Sequence, residues 1–288
     1  MLSGAPASTP VADVAAAPGE PLRALVEALA EHDHGLIMCM GKGGVGKTTV
    51  ASALALALAS RGKDVLLTTT DPAAHLDPSL ATGTLTIARI DPEACVERYR
   101  ERILNVKGRH LDDAGRAQLE EDLRSPCTEE IAVFEEFSQA VSQARRRVVV
   151  MDTAPTGHTL LLMDATGSYH RDIARKMGER DGYTTPLMRL QDPSHTRIVV
   201  VTLPETTPVL EASGLQDDLR RARIEPWAWV VNQSLAAAAP HDPLLQARAR
   251  DEATPLATVQ NLAQDRLAVI PLLGDEPTGA DALLALTR

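Results

Sequence analysis

Short, nearly continuous apolar runs alternate along this chain with longer stretches in which apolar positions recur every three or four residues. Runs of the first kind read as strands buried on both faces, and stretches of the second kind as helices packed on one side. The strands expected are Leu36–Met40, Asp64–Thr70, Arg147–Asp152, Ile198–Thr202, Pro226–Val231 and Leu267–Ile270. Helical stretches lie between them: Thr49–Ser60, rich in Ala and Leu and closed by Gly62, then Thr159–Ala165, Thr206–Arg221, Pro243–Gln264 and Gly279–Thr287. From Asp91 to Arg146 the chain reads as mainly helical and charged. Helices are expected there over Glu93–Leu104 and Asp112–Leu123, with a third carrying Ile131, Val133, Phe134, Phe137 and Val141 at helical spacing. Strands alternating with helices predict a doubly wound α/β domain with a mostly parallel sheet, and leave the strand order open. A short amphipathic helix over Leu22–Glu31 precedes the first strand. Residues 1–21, rich in Ala, Pro, Ser and Gly, carry no period and read as a flexible tail or linker. The expected organisation is a tail over 1–21 and one domain over 22–288, with a helical insert at about 91–146.

Between the first strand and its helix stands Gly41-Lys42-Gly43-Gly44-Val45-Gly46-Lys47-Thr48-Thr49. It satisfies the phosphate-loop spacing G-x-x-x-x-G-K-[ST] in its proper strand–loop–helix context. The glycines let backbone N–H groups turn inward as an anion nest, and the helix presents its positive end to phosphates. Lys47 supplies a point charge for the β and γ phosphates of ATP, and the Thr48 hydroxyl is a hard oxygen ligand suited to Mg²⁺. The fold expected is therefore that of a P-loop NTPase.

Two acids stand where such a loop needs them. Asp71 follows the second strand, at the carboxyl edge where open α/β sheets bind ligands, and can orient and partly deprotonate the attacking water. Its Asp-Pro context also suits a helix N-cap. Asp152 ends an apolar strand and reads as the acid that holds Mg²⁺, with Gly157 placed to sense the γ phosphate through its backbone N–H. His158 opens the following helix, where a polar residue is also ordinary. Asn232, at the end of a late strand, can offer donor and acceptor to adenine or can simply form a turn, and Pro271-Leu272-Leu273 can wall the base.

Composition narrows the partners. The net charge of −10 gives nucleic acid no general attraction, and the densest basic cluster, Arg145-Arg146-Arg147, reads as a solvated helix end. No nucleic-acid partner is expected. No apolar run is long enough to span a membrane and Met1 opens no signal segment, so a cytoplasmic location is expected. Cys39, Cys95 and Cys127 are far apart and form no paired metal motif. Cys39 reads as core. Cys127 follows Ser-Pro at a helix start, and a lone Cys there is more often an apolar filler than a ligand.

Lys42, directly after the first glycine, makes the loop similar to the deviant Walker A of the dimeric ATPases, which include partitioning ATPases and nitrogenase iron protein. That resemblance implies that Lys42 reaches across a dimer to the partner's nucleotide. The fuller set, with Thr-Asp-Pro-Ala-Ala-His-Leu (70–76), Arg-Ser-Pro-Cys-Thr-Glu-Glu-Ile (124–131) and Asp-Thr-Ala-Pro-Thr-Gly-His-Thr-Leu-Leu (152–161), resembles the arsenite-stimulated ATPase family. The likeness is to the second of that family's two tandem halves. It implies an ATPase coupled to arsenite or antimonite export through a membrane efflux protein, with peripheral association at the inner membrane. It also implies a metalloid role for Cys127, Ser125 and His158, with As(III) or Sb(III) as activator. Only one phosphate loop is present, so either a homodimer or a separate homologous half is expected to complete the site. The alternatives are an ATP-dependent chaperone that targets tail-anchored membrane proteins, and a regulatory nucleotide-binding half.

Overall fold

In the computed structural model, residues 17–71, 74, 76–153 and 185–288 are described. Among them seven strands form one sheet in which every pairing is parallel. The strands are β1 (Gly35–Met40), β2 (Val65–Thr69), β3 (Leu85–Arg89), β4 (Val148–Asp152), β5 (Thr196–Thr202), β6 (Ala228–Ser234) and β7 (Leu267–Pro271). Their spatial order is β3-β2-β4-β1-β5-β6-β7. From β1 the chain builds β2 and β3 on one side, returns to place β4 between β2 and β1, and then adds β5, β6 and β7 in turn on the other side. The strand order therefore switches at β1, and the crevice at its carboxyl end is where such sheets bind ligands.

Each buried strand feeds both faces. Leu36, Met38 and Met40 of β1 join one apolar cluster, while Ile37 and Cys39 join the other. On the second face lie α1 (Leu22–Ala30), α2 (Lys47–Ala59) and the C-terminal helix Gly279–Ala285. From Val50 to Ala59 every residue of α2 is buried. Its Ala-Leu alternation is therefore a core pattern, because small side chains let a helix approach sheet and helices on several sides. The first face carries α3 (Pro92–Val106), α5 (Pro126–Gln143) and the helices Thr206–Arg221 and Ala253–Ala263. The charged helix α4 (Asp113–Asp122) buries no residue.

The α/β expectation and the parallel sheet hold, and four details differ. β3 was not expected. It is an edge strand with Leu85 alone fully buried, so its apolar signal is too thin to stand out. The helix expected over Pro243–Gln264 is two helices, Pro243–Asp251 and Ala253–Ala263. Glu252 at their junction turns inward and accepts hydrogen bonds from the Ser234 hydroxyl and the N–H groups of Leu235 and Ala236. The end of the expected tail is tied down: Glu20 N–H donates to the Leu267 carbonyl, and Val269 N–H donates to the Glu20 carbonyl, each at 2.9 Å. Finally, Arg147 is no solvated helix end. It sits just before β4 and donates to Asp64 at 2.6 Å, the Val65 carbonyl and the Thr86 hydroxyl, fastening the β4 entry to β2 and β3.

Trp229 on β6 is the largest fully buried side chain, and its indole N–H donates to Gln216 Oε1 at 2.9 Å. Trp229→Phe removes that donor, strands a buried amide oxygen and opens a small void. Urea unfolding is expected to show a loss of about 2–4 kcal/mol, with nucleotide binding by the folded protein unchanged.

Candidate nucleotide site

The loop Gly41–Gly46 runs from β1 into α2 through a backbone path that only glycine follows easily. Gly41, Gly44 and Gly46 have φ of 154°, 81° and 87°. Space is as restrictive as conformation at two of these. A Cβ on Gly41 would lie 2.2 Å from the Val201 carbonyl oxygen, and one on Gly46 would lie 2.2 Å from Asn232 Nδ2. The loop is thus pressed against β5 and β6, and together with the first turn of α2 it borders an open cavity of about 690 Å³. Gly43, Gly44, Gly46, Lys47, Thr48, Thr49, Asp71 and Asn232 all line that cavity. Val45 is buried beneath the loop.

Lys47 is only 5% exposed, and its ammonium donates to the Lys42 carbonyl at 2.9 Å. Burial lowers its pKa, with the negative charges of Asp152 and Asp71 pulling the other way. Asp152, fully buried at the end of β4, accepts from the Thr48 hydroxyl at 2.7 Å and from the Thr69 hydroxyl at 3.3 Å. Both bonds fall on Oδ2. Among the described residues Oδ1 has no hydrogen-bond partner. Burial raises the Asp152 pKa, and the Thr48 bond and Lys47 charge lower it. A buried carboxylate oxygen without a donor, beside a threonine hydroxyl, is the donor set a small hard cation with bound water takes. The residues present fit Mg²⁺.

Asp71 stands two residues beyond β2 at the cavity wall, half-buried, with its N–H donating to Thr69 Oγ1 at 3.0 Å. Asn232 lies inside β6, so the turn reading does not apply. Its amide donates to the Val45 carbonyl at 3.0 Å. The residue that does turn is its neighbour Gln233, with φ of 59°. Ile270, Pro271, Leu272 and Leu273 line the far side of the cavity, continuing into Gly274-Asp275-Glu276-Pro277. Lys42 does not line it. Its ammonium pairs with Glu211 at 2.8 Å, both side chains nearly half exposed. Gly157 and His158 lie outside the described residues.

A sequence profile of the anion-transporting ATPase family matches residues 34–189 and 165–288. The chain belongs to this family. An arsenical pump-driving ATPase of Escherichia coli is 55% identical to it over 291 aligned residues, covering 99% of this chain and 50% of that protein. Another, from Acidiphilium multivorum, is 57% identical over 267 residues, covering 92% of this chain and 46% of that protein. The ATPase GET3A of Arabidopsis thaliana is 28% identical over 299 residues, or 86% of this chain and 81% of that protein. The chain therefore spans about half the length of the two bacterial relatives.

Within this chain the described thiols fall into two environments. Cys39 in β1 and Cys95 in α3 are buried, and burial pushes both thiols up from their ordinary pKa. Cys127 is exposed in the first turn of α5. Ser125 precedes that helix, its hydroxyl 3.3 Å from Thr128 Oγ1. Among the described residues no group of three or more His, Cys, Asp and Glu could hold a metal, so Cys127 and Ser125 form no such cluster by themselves. No described helix is long and apolar enough to cross a membrane.

Two residues of the site escaped the sequence reading. Thr69 has a local signal, a hydroxyl two residues before an acid at a strand end. Glu211 has none, since only the fold brings it to Lys42. Two results are expected. A maleimide added to the native protein labels Cys127, while Cys39 and Cys95 react only after denaturation, as mass spectrometry of digested samples would show. Gly46→Ala leaves a cooperative melting transition but lowers the affinity for a fluorescent ATP analogue at least tenfold, because the new Cβ collides with Asn232.

Proposed function

We propose that the chain is an ATP-hydrolysing half of an arsenical pump-driving ATPase, drawing on ATP turnover to export arsenite or antimonite through a membrane efflux protein. The observation that carries the reading is the buried Asp152 carboxylate, bonded through one oxygen to Thr48 and Thr69 and open at the other, beside a phosphate loop and Asp71. The two bacterial relatives, named as arsenical pump-driving ATPases, support the transport role.

In this reading the N–H groups of Gly43 to Thr49 cradle the phosphates and Lys47 neutralises the β and γ oxygens. Thr48 and Asp152 would hold Mg²⁺, which when bound would spread the charge that develops on the phosphates. The Thr48 proton is already committed to Asp152, so its oxygen lone pair is the part left for the metal. Asp71 accepts a hydrogen bond from the attacking water and points its oxygen at the γ phosphate. Asn232 anchors the loop through Val45 and presents the rest of its amide to the base, with Leu272 and Leu273 packing on its face. Gly157 reports the γ phosphate. Lys42 leaves Glu211 to reach a second unit, either another copy of this chain or a separate homologous half. There the soft thiolate of Cys127, with Ser125 and His158, takes As(III) or Sb(III). A metalloid held by two units favours the closed pair, and hydrolysis rises through that differential affinity.

Steady-state hydrolysis by the purified chain, with and without arsenite at several protein concentrations, tests the proposal. The rate is expected to rise with arsenite, more steeply at higher concentration, and Cys127→Ser is expected to abolish the stimulation. A flat rate at every concentration would contradict the metalloid role of a self-pair. Capture of tail-anchored membrane segments in place of stimulation would favour the targeting reading.

A further inference from the structure

Thr69 closes β2 with 1% of its surface exposed. It is the register partner of Asp152 on the adjacent parallel strand β4. Its hydroxyl is used in both directions: it donates to Asp152 Oδ2 at 3.3 Å and accepts from the Asp71 N–H at 3.0 Å. The adjoining backbone adds a second tie, since Thr70 N–H donates to the Asp152 carbonyl at 2.9 Å. A hydroxyl has one proton, so these roles are not interchangeable. The proton goes to the acid of β4, and a lone pair holds the backbone from which Asp71 projects.

We propose that Thr69 is a positioning residue that couples the metal-holding carboxylate of Asp152 to the water-directing Asp71 through this one hydroxyl. The proposal deepens the reading given above and rests on its roles for those two acids. Thr48 from the loop and Thr69 from β2 converge on the same oxygen of Asp152, so three chain segments meet there. Occupying Oδ2 with two donors leaves Oδ1 as the oxygen for the metal's shell and fixes the carboxylate plane. The same hydroxyl sets where Asp71 begins. A metal-dependent adjustment of Asp152 is thereby passed to the residue that orients water. A threonine that merely filled space could be replaced by Val, which has the same shape and suits a strand as well. What Val removes is the pair of hydrogen bonds.

The test compares wild type with Thr69→Val and Thr69→Ser in the purified chain. The readouts are the Mg²⁺ concentration that half-saturates binding of a fluorescent ATP analogue, and turnover at saturating Mg²⁺. Thr69→Val is expected to raise the half-saturating Mg²⁺ concentration at least threefold and to lower turnover at least tenfold. Affinity for the analogue without Mg²⁺ stays within twofold of wild type. Thr69→Ser restores both properties to within threefold. If Thr69→Val does not fold, as judged by its melting curve, Thr69→Ala is read by the same criteria. A wild-type Mg²⁺ requirement in the hydroxyl-free variant overturns the proposal whatever its turnover. So does wild-type turnover at saturating Mg²⁺, and so does failure of Ser to rescue. The underlying reading is tested separately. Asp152→Asn with an unaltered Mg²⁺ requirement, or Asp71→Asn with full turnover, would remove the assigned roles of those acids rather than the bridge between them.

Discussion

Asp152 is a carboxylate with no exposed surface, at the end of a strand buried on both faces. Taking such a group out of water costs several kcal/mol unless donors or charges replace the lost hydration. Two hydroxyls and the Lys47 ammonium offset part of that cost here, and burial still raises the pKa from its ordinary value. The oxygen left without a donor among the described residues is where a cation would complete the site. The phosphate loop, the β2 end and the β4 end are arranged about this one group, and each contributes to it.

The sheet order makes the arrangement possible. β4 inserts between β1 and β2, so the loop leaving β1 and the acids ending β4 and β2 arrive at one edge from three adjacent strands. On the other side β5 and β6 press on the loop so closely that a Cβ on Gly41 would meet the Val201 backbone and one on Gly46 would displace the Asn232 side chain. Behind it α2 is buried from Val50 to Ala59, which fixes the direction of its N-terminal end. Packing therefore preorganises the cradle, and the site does not depend on loop chemistry alone.

The phosphate loop, Asp71 and Asp152 are legible in the sequence because each couples a local spacing to a strand end, and strand ends are marked by sharp loss of apolar character. The α/β architecture is legible for the same reason. Long-range pairings are not. Glu211 meets Lys42 only through the fold, and Arg147 turns from a basic run into a fastening because Asp64, Val65 and Thr86 surround it. The break at Glu252 was hidden because helical periodicity continues across it, while the cause is a buried bond to Ser234. Edge strand β3 has one fully buried side chain and so carries almost no pattern.

Every role assigned at this site requires a nucleotide in the cavity. Calorimetric titration of ATP with Mg²⁺ into wild type and Lys47→Ala would measure it. One ATP is expected to bind each wild-type chain, and affinity is expected to fall at least tenfold when the Lys47 ammonium is removed. Equal binding by both proteins, or none by the wild type, would contradict the assignment of the phosphate loop as the nucleotide site.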